Sequence, residues 1–88
     1  MISELIKVVD EVVESWQAMD AARTTEKALL NSLLQEYETA VMAGTGTDDV
    51  DRMPHADAQD EYFNKRREHI TALDKLRNTR IGMKMRGE

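Results

Sequence analysis

The hydrophobic positions of the first 41 residues keep a single seven-residue phase. Ile2, Leu5, Val9, Val12, Trp16 and Met19 alternate steps of three and four, and the phase resumes at Leu30, Leu33, Tyr37 and Ala40. Between these stretches Arg23 and Glu26 occupy one layer of the same stripe. A sustained heptad of this kind predicts one long helix, about residues 3–43, whose apolar face must meet other helices. Ser3 suits the N-cap, Glu4 lies in the first turn where the helix dipole favours an acid, and Gly44 is a natural stop. Ile6, Val13, Leu34 and Val41 widen the stripe on one side, and Val8, Ala22 and Leu29 widen it on the other. Both ends of the helix are therefore broad enough to touch two neighbours, whereas its middle is polar.

Residues 44–56 read as a loop punctuated by Gly44, Gly46, three aspartates and Pro54. Asp57 is the expected cap of a second helix over about 57–81, with Gly82 as its stop and Arg77 and Arg80 in its last turn. Its inward face is thinner: Tyr62, Phe63, Ile70, Leu73 and Leu76, with Arg66 and His69 intruding. Residues 82–88 are expected to form a flexible basic tail. The whole chain, 1–88, reads as a single helical domain.

The two helices differ in length, about 60 Å against about 36 Å at 1.5 Å per residue. Folded back as a hairpin, the second would cover roughly residues 19–43 and leave Ile2 through Trp16 bare. Two helices also enclose no interior, so the expected fold is an all-α hairpin that self-associates into a bundle or coiled coil through Ile2, Leu5, Val9, Val12, Trp16 and Met19. The alternative is a monomeric three-helix bundle broken near residues 23–25, with helices near 3–22, 25–43 and 57–81, where Thr24 or Thr25 would cap the new helix that starts at the break. That break contains neither Gly nor Pro, and the heptad phase survives it.

Composition narrows the class. Eighty-eight residues, 33% charged and 41% hydrophobic with one Pro and four Gly, make one small all-helical domain rather than a disordered or fibrous chain. The absence of cysteine removes disulfides and thiolate chemistry and fits a cytoplasmic setting. No apolar run approaches the roughly 20 residues that span a bilayer, and the N-terminus lacks the basic start of a signal peptide, so no membrane is expected. The net charge of −5 hides a split: residues 1–61 hold fourteen acids and four bases, and residues 62–88 hold three acids and eight bases. Either an acidic helix and a basic helix neutralise each other, or a basic arm serves an anionic partner.

Candidate chemistry is sparse. Arg23 and Glu26 in the seam need partners, because unpaired buried charge is costly. A hairpin turning at 44–56 would bring Asp74 and Arg77 to them as a polar layer that fixes register. Glu11-x-x-Glu14 and Asp57-x-x-Asp60 place two carboxylates on one helix face. In that spacing they resemble the acids with which MazG-type nucleotide pyrophosphohydrolases hold Mg²⁺, which implies an α-helical metal-dependent hydrolase as a remote alternative. That family carries denser acidic motifs on facing helices, and here Glu11 and Glu14 occupy outward positions. The loop acids lack the alternation of a Ca²⁺ loop, no phosphate-binding glycine loop exists, and two histidines without cysteine do not make a zinc site. No metal, cofactor or catalytic residue is expected.

The remaining candidates are surfaces. Arg66, Arg77, Arg80, Lys84 and Arg86 are the candidate contacts to nucleic acid or another anionic partner, and Asp10, Glu11 and Glu14 form a candidate acidic face that imitates phosphate charge toward a basic cleft. The expected function is non-enzymatic: a homodimeric helical adaptor, assembly factor or inhibitor, such as a phage- or plasmid-type protein acting on a host protein. Nucleic-acid binding through the basic second helix is the alternative.

Overall fold

A computed structural model describes residues 2–87. Helix α1 spans Ile2–Met42, a short 3₁₀ turn spans Thr47–Asp49, and helix α2 spans Met53–Met85. The two long helices lie antiparallel as a rod with extents of 69 × 15 × 13 Å. The helical hairpin expected from the heptads is the fold.

Helix α1 passes through residues 23–25 without interruption. The hydroxyls that would have capped a new helix instead bond inside this one, Thr24 to the Asp20 carbonyl at 3.0 Å and Thr25 to the Ala21 carbonyl at 3.2 Å. The three-helix alternative therefore does not occur. Gly44 ends α1 with φ of +73°, the left-handed conformation that a side chain would strain. The Gly44 amide donates to the Val41 carbonyl and the Thr45 amide to the Ala40 carbonyl, which closes the last turn in a Schellman arrangement.

The second helix is longer at both ends than the sequence suggested. Pro54 occupies one of its first two positions, where a missing N–H costs nothing. The carboxylate of Asp51, not Asp57, accepts a bond from the Met53 amide at 3.0 Å. At the other end Gly82 stays helical, and the Arg86 amide still donates to its carbonyl at 3.1 Å. Residues 82–85 thus belong to α2 rather than to a separate tail.

Register is the larger correction. Cross-helix bonds pair Glu11 with Lys75, Ser15 with His69 and Glu26 with His55. A tight hairpin would have set residues 23 and 26 against 77 and 74. Instead the connection doubles back along the end of α1, with the Arg52 guanidinium 5.5 Å from the centre of the Tyr37 ring. Helix α2 therefore covers the N-terminal part of α1, and the last turns of α1, from Leu34 to Met42, extend beyond it. Leu34, Val41 and Met42 are exposed there.

The seam itself is a clean heptad on each helix. On α1 the heptad of shielded positions runs through Leu5, Val8, Val12, Ser15, Met19, Ala22, Glu26, Leu29 and Leu33, with Glu11, Ala18, Leu30, Tyr37 and Ala40 half-buried beside it; on α2 it runs through His55, Ala58, Tyr62, Lys65, His69, Ala72, Leu76, Thr79 and Met83. Small side chains recur along it, and near the start of α2 Ala58 borders a groove with Ala18 and Ala22 of α1. Only Val8, 2% exposed, and Ala58, 9% exposed, are buried among the described residues.

Candidate functional site

With the seam fixed, α1 has apolar residues to spare. Leu5, Val12 and Met19 of the expected association stripe are half-buried toward α2, whereas Ile2, Val9 and Trp16 are exposed beside it. Ile6 and Val13 extend the same flank and are also exposed. The arc from Val8 round to Val13 is wider than one helix can cover, which is why half of the stripe stays in solvent.

The same flank of α2 is apolar. Phe63, Ile70, Leu73 and Ile81 are exposed. A groove joins Met19 and Arg23 of α1 to Phe63, Arg66 and Ile70 of α2, and another joins Leu5 to Leu73, Arg77 and Ile81. One side of the rod therefore carries exposed apolar residues of both helices, with the cations Arg23, Arg66, Arg77, Arg80 and Lys84 set among them. The opposite side is polar: Glu4, Asp74, Lys75 and Arg86 border one groove there, and Thr25 and Glu61 another.

The proposed polar layer does not assemble. Glu26 accepts a hydrogen bond from His55 Nε2 at 2.8 Å, with both side chains 17% exposed. Arg23 is exposed and borders the groove with Phe63 and Arg66. Asp74 lies by Glu4, and Arg77 lies by Leu5, far along the rod from Glu26. The cause is the doubled-back connection, which moves α2 about sixteen residues, or some four helical turns, toward the start of α1.

The acidic face is also divided. Glu11 points at α2 and takes Lys75 Nζ at 2.9 and 3.3 Å, so it is not free for a partner, while Asp10 and Glu14 remain exposed. The two carboxylate pairs, Glu11 with Glu14 and Asp57 with Asp60, sit at different heights of the rod. Among the described residues no three metal-binding side chains cluster.

Of the basic candidates, Arg77, Arg80 and Lys84 come together around the groove beside Leu5, and Arg66 stands farther along the same flank. None of these four has a carboxylate within 4.0 Å among the described residues. Arg86 lies on the opposite side, by Glu4 and Lys75.

One contact had no signal in the sequence. His69 Nδ1 is 2.9 Å from Ser15 Oγ. The Ser15 hydroxyl also reaches the Val12 carbonyl at 2.9 Å. With the hydroxyl proton on that carbonyl, the imidazole N–H is the donor to Ser15, and the contact ties the two helices together across the seam. Ser15 falls between the apolar rows, and only the register of the hairpin reveals its partner. No helix among the described residues is long and apolar enough to cross a membrane. Comparison with protein-family models, curated proteins and solved structures finds no match to this chain.

Proposed function

We propose that this protein is a non-catalytic interaction module that works as a homo-oligomer, an adaptor, assembly factor or inhibitor that acts by holding another macromolecule. The observation that carries this reading is the two-helix apolar flank, on which Ile2, Ile6, Val9, Val13 and Trp16 of α1 lie beside Phe63, Ile70 and Leu73 of α2, all exposed. A rod one helix thick hides almost nothing by itself, and exposed apolar residues gathered on one face of two helices mark a surface that associates. The seam histidines support it in a second way, since each is already engaged by an α1 side chain.

Light scattering coupled to size-exclusion chromatography, run over a concentration series, tests the reading. A mass of twice the 10.1 kDa chain or more supports it. A monomer at every concentration overturns it.

A second reading, nucleic-acid binding, is favoured by the grouping of Arg77, Arg80 and Lys84 around one groove. It requires binding to duplex or single-stranded oligonucleotides that weakens steeply with salt and is lost when these three are neutralised.

A further inference from the structure

We infer that the apolar flank is covered by a second copy of this chain, related by a two-fold axis parallel to the rod, so that α1 of each copy lies over α2 of the other. This rests on the self-association proposed above and specifies its geometry.

Height along the rod supplies the first argument. The Glu11–Lys75 and Ser15–His69 bonds show which levels of the two helices match. Ile6, Val9, Val13 and Trp16 therefore stand level with the stretch of α2 that carries Ile70 and Leu73. Rotation about the long axis preserves height, so the apolar stretch of α1 lands on the apolar stretch of the partner's α2. The shared surface is about 25 Å long and about 20 Å wide. Two such faces bury about 1,000 Å² in all, at the threshold for a specific interface.

Charge supplies the second argument and selects the axis. Residues 65–86 carry eight bases and two acids, while residues 1–22 carry five acids and one base. An axis across the rod would lay α2 on the partner's α2 and set the row of Arg66, Arg77, Arg80 and Lys84 against its own copy. No carboxylate among the described residues lies within 4.0 Å of these four. An axis along the rod sets Arg66 and Arg77 instead near the two acids of α1, Asp20 and Asp10, that border this flank. Asp20 continues the row of Ile6 and Val13 and comes level with the partner's Arg66, and Asp10 on the rim comes level with the partner's Arg77. Like charges facing each other across an interface disfavour a pairing more strongly than opposite charges favour one.

The chain has no cysteine, so single replacements are unique reporters. Val13→Cys and Ile70→Cys chains, mixed, refolded together and oxidised, should give chiefly the 13–70 disulfide between copies, with few 13–13 or 70–70 links. Predominant 13–13 and 70–70 links, in a sample whose reduced mass is dimeric, would overturn the parallel axis while leaving self-association intact. A monomeric reduced mass for the unsubstituted chain would overturn both. As a check that needs no cysteine, Asp10→Arg and Arg77→Asp should each weaken dimerisation about three- to tenfold, and the double exchange should recover most of the loss. Circular dichroism of each variant confirms that the hairpin still folds, and additive effects in the double exchange would count against this geometry.

Discussion

Trp16 is the most direct probe of the exposed flank. It is the only tryptophan, and half of its surface, 50%, faces solvent in the isolated hairpin. A tryptophan buries about 150–250 Å², so about 100 Å² per chain is left for a partner to cover. At about 25 cal/mol per Å² this is worth about 2.5 kcal/mol for each copy, or about 5 kcal/mol in a symmetric dimer. Trp16→Ala should therefore weaken dimerisation by more than a thousandfold. Sedimentation equilibrium measures the loss in the variant. In the unsubstituted chain, tryptophan emission should shift to the red on dilution through the dissociation range while far-ultraviolet dichroism stays helical. If the variant and the parent dissociate at the same concentration, Trp16 is not in the interface and the reasoning fails.

The seam makes predictions of its own. The Glu26–His55 bond, 2.8 Å long and largely shielded, should show a coupling of about 1 kcal/mol in a cycle of Glu26→Gln and His55→Ala, whereas additive losses would show that it contributes nothing as a pair. Gly44→Ala should destabilise by about 1 kcal/mol through backbone strain alone, because φ is +73° and no atom crowds the new methyl.

The sequence disclosed the helices more fully than their relation. Heptad spacing marked α1 almost to its ends, and Gly44 marked its stop, because both are local signals. The face turned to α2 was ambiguous, since rows through Ile2, Val9 and Trp16 and through Leu5, Val12 and Met19 are equally apolar. What decides between them is the third row, Val8, Ser15 and Ala22, whose small members let the backbones approach but carry little hydrophobic signal. On α2 the conspicuous residues misled in the same way. Phe63, Ile70 and Leu73 are exposed, while Ala58, Lys65, Ala72 and Thr79 lie in the seam. Pro54 resembled loop punctuation, yet at the start of a helix it serves as well as any residue. The register was illegible for a different reason: a loop's composition does not say whether it turns tightly or runs back along the helix it leaves.

The thinness of the seam has one last consequence. Two buried residues, Val8 and Ala58, are a poor core for a chain of this length, and small domains with so little interior commonly depend on association. Folding and pairing should then be a single equilibrium, with the flank supplying what the seam lacks. In that case mass action links stability to concentration. Each tenfold increase in protein adds about 1.4 kcal/mol per dimer. Spread over the unfolding entropy of two chains, this raises Tm by about 4 °C. Calorimetry over a hundredfold range should find a rise of about 8 °C. A Tm independent of concentration would mean that the hairpin stands alone, held by its small-residue seam and the bonds of Ser15, Glu26, His55 and His69, and that its apolar flank is kept open for a different protein.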